Sequence, residues 1–418
     1  MNRSKHVIIV GGGIIGAFTA YYLLDKGWSV TVVDKDRFGE GASKGNCGLI
    51  VPNHILPLNS LDTIIKGLIW MFKKNAPLYV RPQFIPKLIS WFSQFVYCAR
   101  SKSVLASAKG RHALLHSSFH LFPEFIKTEN VACDWRLDGS LHVYQSEKAW
   151  RGNTKTDAFL RQYNIQAECL DQKAARELAP SLNNDICGAW HYPETAHLRP
   201  ERLLSELQRI LRDRGARILE HCPVRSFQSQ NGRATAVQTD QGRLPADAFV
   251  LATGAWSPAF AKDLGCRLPI QPGKGYSITM ESQPEFPKIP CFFEELRVVS
   301  TPWPDACRLG GTMEFNGWDN SLSRRRLAAL ETGLQHYTSS PKPTGILDPW
   351  CGFRPMTVDG LPFMDWSPRL QNVMINAGHN MIGISVGPAS GKLVAEIMDH
   401  TRPHVDPYPY RFSRLKTV

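Results

Sequence analysis

At 418 residues, 43% hydrophobic and 21% charged, the chain can hold two or three domains around a large core, and its composition excludes an intrinsically disordered protein. Its ten cysteines are scattered with no C-x-x-C pair, which excludes a disulfide scaffold and a cysteine-based zinc site. A net charge of +12 leaves nucleic acid, an anionic membrane surface and acidic ligands open as partners, with plain solubility as the alternative.

Residues 7–16 read V-I-I-V-G-G-G-I-I-G, a β-branched run ending in glycines, and an apolar helical pattern follows over 14–24. This order predicts strand, tight turn and helix around a dinucleotide. Gly11 allows the turn, Gly13 lets backbone approach a pyrophosphate, and Gly16 lets helix pack on strand. The first-turn amides, at Ile14 and Ile15, then face the phosphates, where the helix dipole favours negative charge. A second strand over 28–33 ends at Asp34, about 20 residues past the glycines, where a carboxylate accepts from a ribose diol, with Lys35 beside it. Arg3, Lys5 and the apolar run imitate a signal peptide or membrane span. A cleaved or buried segment cannot hold a nucleotide, so the expectation is a soluble cytoplasmic chain, with peripheral membrane contact as an open alternative.

Residues 39–50, G-E-G-A-S-K-G-N-C-G-L-I, hold backbone close to a ligand, with Ser43 and Asn46 as donors to phosphate or to a ring system. Over 61–111, Trp70, Phe72, Trp91, Phe92 and Phe95 alternate with Lys66, Lys73, Lys74, Lys87, Arg100 and Lys102. Such amphipathic helices either lie on an anionic membrane or cap a neighbouring domain. His112, His116 and His120 share a helix face without acidic or cysteine neighbours, so they read as solvated or packing histidines, and no metal site is expected.

Short strands at 133–137 and 140–144 flank the Asp138-Gly139 turn, and with 188–192 and 276–280 they predict an antiparallel sheet that carries the substrate surface. A helix over 198–214 ends at Gly215, followed by strands at 217–220 and 234–239 around the turn at Asn231-Gly232. Val224, between them, joins the cofactor-binding set. A buried strand in 245–257 delivers Thr253 and Gly254 at its carboxyl end, where doubly wound sheets bind ligands. A second glycine-ended strand so far from the first favours flavin over a simple NAD domain. Residues 350–362, W-C-G-F-R-P-M-T-V-D-G-L-P, contain Gly352 and Arg354. The strand at 372–377 then runs into Gly378, His379 and a helix through Met398, whose start at Gly383, Ile384 and Ser385 can face the flavin ring and stabilise negative charge there.

The fingerprint at 11–16, G-A-S-K-G-N-C-G at 41–48, A-T-G-A-W-S at 252–257, K-G-Y-S-I-T at 274–279, G-F-R-P with D-G-L-P in 352–362, and G-H at 378 together resemble the bacterial D-amino-acid dehydrogenase family. That family lies within the FAD amine oxidoreductases, beside glycine, sarcosine and D-amino-acid oxidases. It often has a small residue where Cys47 stands and a further glycine where Asn380 stands. The resemblance implies noncovalent FAD, and an α/β fold in which a Rossmann-like FAD-binding domain (1–55, 196–262, 345–418) joins a discontinuous second domain on an antiparallel sheet (56–195, 263–344). It implies oxidation of a small D-amino or imino acid, with Arg354 holding the carboxylate and electrons passing to a quinone or other carrier. Tyr276 is either a second donor or lid residue, or a packed sheet tyrosine. His379 lines the flavin or orders the turn. An oxygen-using glycine or sarcosine oxidase, a flavoprotein acting on RNA, and a non-catalytic FAD scaffold are the alternatives, with nucleic acid the less expected partner.

Overall fold

Two β-sheets organise the chain in a computed structural model that describes residues 4–59, 77–81, 84–340 and 345–415. The first is six-stranded, in the order Phe363–Trp366, Val373–Ala377, Ala248–Leu251, His6–Val10, Ser29–Val33, Arg217–Leu219, and parallel except at its first pair. Its central strands are continuously apolar because both faces are covered. Val7, Ile9, Val30 and Val32 pack with the helices Ile14–Asp25, Pro200–Asp213 and Gly383–Met398, and Ile8, Val10, Phe249 and Leu251 pack with the three-stranded sheet of residues 224–245. The first and last of those helices touch closely. A Cβ at Gly391 would stand 2.5 Å from the Phe18 carbonyl carbon, so glycine is what permits the approach.

The second sheet has nine strands. Its main path is Ile346–Thr357, Ile270–Glu281, Ala306–Phe315, Val298–Pro302, Cys291–Phe293, Ser140–Tyr144, Gly188–Tyr192, Glu168–Asp171, with Leu78–Val80 pairing off Ala306–Phe315. Most pairs are antiparallel; Cys291–Phe293 with Ser140–Tyr144, and Leu78–Val80 with Ala306–Phe315, are parallel. One face buries Tyr276, Ile278, Met280 and Leu309 beneath Leu330 and Leu334 of the helix Arg324–Tyr337. Onto the other face pack residues 45–54, where Leu49 and Val51 meet Phe292 and Val299.

Two local features differ from the sequence reading. The strand Ile346–Thr357 pairs along its length with Ile270–Glu281, so it belongs to the second sheet although a boundary at 345 assigns it to the cofactor unit. Residues 133–137 form no strand, because their one ladder contact is the bridge from Arg136 to His197. Of the basic aromatic stretch, residues 61–76 lie outside the described residues. Trp91, on the helix Ile85–Tyr97, is buried, stacks on Phe95 at 5.1 Å and donates to the Pro269 carbonyl at 3.2 Å, so its ring caps the fold. His112, His116 and His120 lie on the helix Ser101–Glu129, where His116 and His120 approach to 3.3 Å between Nε2 atoms and His112 packs on Tyr163. Among the described residues no group of three or more His, Cys, Asp or Glu is arranged to hold a metal.

Candidate active site

The strand His6–Val10 opens into Gly11, whose φ of +110° is costly for any residue with a side chain. A Cβ there would lie 2.5 Å from the Ala252 carbonyl oxygen, so the ends of two parallel strands meet over this glycine. At the end of Ser29–Val33, Asp34 accepts from the Gly12 amide at 2.6 Å and the Asp36 amide at 2.9 Å. Burial nevertheless raises its pKa above the usual carboxylate value. Asp34 thus ties down the glycine turn. Lys35 turns to the surface, its ammonium 4.5 Å from the Trp256 ring and 2.5 Å from the Asp36 carboxylate.

The helix Ile14–Asp25 starts from Gly13 without a side-chain cap of its own and with no acidic residue in its first turn. Ser43 Oγ accepts from the Ile14 amide at 3.0 Å, bringing the 39–50 loop to the helix start while leaving its own O–H available as a donor. Asn46 holds the same loop, accepting from the Gly48 amide at 2.8 Å and donating to the Met381 carbonyl at 3.5 Å. A residue that the sequence reading passed over fixes the loop from beneath. Arg308, 2% exposed in the second sheet, donates to the Lys44 and Asn46 carbonyls at 2.7 and 2.8 Å.

Thr253 and Gly254 follow the strand Ala248–Leu251, with Thr253 bonded to Ser257 at 3.0 Å and Gly254 at φ +54°. Val224 begins the strand Val224–Gln230, and the Cys222 amide donates to the Asp34 carbonyl, so this segment borders Asp34. Gly378 has φ +88°, and a Cβ there would meet Thr357 Cγ2 at 2.6 Å. His379 is 2% exposed, its Nε2 has no hydrogen-bond partner among the described residues, and burial pushes its pKa down to about 3. The imidazole is therefore neutral. The helix Gly383–Met398 begins uncapped by any side chain and without an acidic first turn, while Ser385 Oγ donates to the Leu49 carbonyl at 2.6 Å. Both helix starts keep their positive dipole ends for an outside anion.

Arg354 stands in Ile346–Thr357 opposite Gly273, and its guanidinium lies across Gly275, where any Cβ would overlap Cζ. Gly352 faces Gly275 across the ladder and is covered by the Trp350 ring, which also reaches Gly45. Gly352 thus supports the site as floor beneath Trp350. Cys47 Sγ lies over Gly310 in the same way. Arg354 Nη1 donates to the Thr312 carbonyl at 2.6 Å and Nη2 to the Gly311 carbonyl at 3.4 Å, and among the described residues no carboxylate pairs with it. Burial lowers its pKa below the ordinary arginine value, yet arginine stays protonated. A half-buried cation met only by neutral groups is a ready partner for an incoming carboxylate.

Tyr276 does not share this site. It pairs with Cys351, one residue out of phase with Gly275 and Gly352, and side chains alternate faces along a strand. Its hydroxyl donates to Glu314 at 2.7 Å, and Glu314 pairs with Arg326 at 2.7 Å, in the core under the Arg324–Tyr337 helix. Of the two roles open in the sequence, the packed sheet tyrosine is the one the register allows. Tyr276→Phe is expected to leave the amino-acid KM within about twofold while costing about 1 kcal/mol of stability from the lost hydrogen bond, checked by steady-state kinetics and urea unfolding.

The glycine turn, two helix starts without acidic residues, the Asp34 carboxylate and the His379 nitrogen, unpartnered among the described residues, fit a flavin dinucleotide. A family model described as FAD dependent oxidoreductase matches residues 6–397. The chain belongs to this FAD dependent oxidoreductase family. Like other members, this FAD-dependent oxidoreductase has full-length relatives: a D-amino acid dehydrogenase of Granulibacter bethesdensis is 30% identical over 96% of this chain and 97% of that protein. One of Helicobacter pylori is 29% identical over 94% of each. Among solved structures, glycine oxidase from Geobacillus kaustophilus superposes with a TM-score of 0.79 at 21% identity, covering 98% of this chain and 99% of that one, and so shares the fold. In this oxidoreductase, Gly11, Gly13, Asp34 and the start of Ile14–Asp25 lie together at the ends of neighbouring parallel strands and would hold the dinucleotide.

Proposed function

We propose that the protein dehydrogenates a small D-amino or imino acid, such as D-alanine or a D-proline derivative, and passes the electrons to a quinone or another carrier. Arg354 carries this reading: a guanidinium that no carboxylate of the described residues pairs with, laid over a glycine floor, binds and orients an α-carboxylate. Bound FAD supplies the two-electron acceptor for the hydride from the α carbon. The chain's part is orientation. Arg354 sets the substrate's direction, Cys47 and Trp350 narrow the space around it, and neutral His379 leaves proton removal from the amine to solvent. Hydride transfer from a neutral amine needs no strong side-chain base. Water then hydrolyses a primary imine to oxo acid and ammonia, whereas a cyclic imine persists. The D preference rests on the relatives' names.

A carrier at a membrane surface suits the helix Ile85–Tyr97, where Ile89 and Val96 are exposed and Arg100 and Lys102 follow. No helix of the described residues is long and apolar enough to cross a membrane. Anaerobic mixing with D- and L-amino acids, D-proline, its hydroxylated forms, glycine and sarcosine tests the proposal. Bleaching of the flavin by a small D-amino or imino acid is the expected result, and adding oxygen or a quinone then separates oxidase from dehydrogenase. A flavin that no amino acid bleaches overturns the reading.

A further inference from the structure

The strand Ala306–Phe315 slips against Ile270–Glu281 where Arg354 sits. Lys274 pairs with Glu314 and Tyr276 with Gly311, so Thr312 and Met313 share the single position opposite Gly275. Gly311 and Glu314 face the helix side: a Cβ at Gly311 would meet Leu330 at 3.0 Å, and Glu314 takes the Tyr276 hydroxyl. Met313 faces the other way, its sulfur 3.8 Å from Arg354 Nη1, and the Thr312 carbonyl accepts from that same nitrogen at 2.6 Å. The bulge therefore brings the Thr312 backbone carbonyl and the Met313 side chain, on consecutive residues, to the guanidinium.

Thr312 meets two costs there. Its φ is +55°, and of the nine described non-glycine residues with positive φ it is the only β-branched one, the class for which this backbone is least favourable. The residue is 7% exposed, yet Oγ1 has no hydrogen-bond partner among the described residues. Strain and an orphaned buried hydroxyl on one residue beside an unpaired cation point to a missing ligand. A carboxylate offers about four acceptor sites, more than the N–H groups left on Arg354 after its bonds to Gly311 and Thr312 comfortably fill.

We propose that Thr312 is a substrate-binding residue, its hydroxyl donating to the carboxylate that Arg354 holds, with the bulge as the device that brings both to one point. This rests on Arg354 as the carboxylate anchor in the proposed function. Thr312 thereby takes the second-donor role that the sequence offered to Tyr276.

The test uses the FAD-loaded enzyme, with butanoate and butanamide as non-oxidisable probes titrated by perturbation of the flavin spectrum. Thr312→Val keeps the branched shape and removes the hydroxyl; Thr312→Ser keeps the hydroxyl. The valine variant is expected to bind butanoate about tenfold more weakly, with butanamide nearly unchanged, and to raise the amino-acid KM about tenfold while kcat stays within about threefold. The serine variant stays within about threefold of wild type. A merely structural role would weaken both probes alike, and that result overturns the proposal. So does butanoate binding by Thr312→Val within about twofold of a tight-binding wild type, in which case the carboxylate site stands and the Thr312 role alone falls. A wild-type enzyme indifferent to butanoate overturns the carboxylate site itself and Thr312 with it. If the valine variant does not retain FAD, Thr312→Ala against Thr312→Ser carries the same comparison, and equal butanoate affinity overturns the proposal.

Discussion

Arg354→Ala is expected to lower kcat/KM for the amino acid by about 100- to 10,000-fold while FAD content stays that of wild type. Two charge-assisted hydrogen bonds are lost, each worth about 1.5–3 kcal/mol, and the carboxylate must still be desolvated. Most of the loss falls on KM, because the contact exists before the chemistry as well as during it. FAD is expected to stay bound because the residues that would hold it, Gly11, Gly13 and Asp34, lie on the first sheet, whereas Arg354 lies on the second. Arg354→Lys keeps the charge and loses the planar fork, so partial recovery is expected. Steady-state kinetics beside flavin absorbance per protein measure both halves, and an unchanged KM in Arg354→Ala would sink the carboxylate assignment.

Gly16→Ala is expected to yield colourless protein destabilised by about 3 kcal/mol, since the added Cβ would overlap the Gly11 carbonyl oxygen and drive the helix off its strand. Gly13→Ala is the informative partner. Its nearest neighbour would be Ser43 Oγ at 3.2 Å, so the fold accommodates the methyl while the closest approach of a phosphate is blocked. Folded, soluble Gly13→Ala protein that purifies without flavin separates the ligand role from the packing role. Chemical denaturation of the flavin-free proteins and flavin absorbance after purification read the two effects. A yellow Gly16→Ala protein of wild-type stability would contradict the helix–strand contact.

The first sheet was legible because its signals are local. Gly11, the uncapped helix after Gly13, and Asp34 at the end of the next strand all follow from backbone requirements within about 30 consecutive residues. The strand before Thr253 and the helix from Gly383 were readable for the same reason. The second sheet was legible as a separate antiparallel sheet, but not in its strand order or register. The pairing of Ile346–Thr357 was not legible because nothing in its own residues states its partner, the segment Ile270–Glu281, more than sixty residues earlier. Arg308 was missed because its contacts with the 44–46 carbonyls span more than 260 positions.

The amino-acid sequence by itself determined the nucleotide-binding half: glycine at positions 11, 13 and 16 is a statement about backbone freedom and close approach, and it holds wherever the strand lies. It also supplied Arg354 as a residue, without the face on which that residue stands. Only the tertiary structure decided that Arg354 and Tyr276 point to opposite sides of their sheet, since a shift of one residue in pairing reverses every side chain. The bulge at Thr312 likewise arises from an unequal count of residues between two paired strands, a property of the pair that neither strand carries alone.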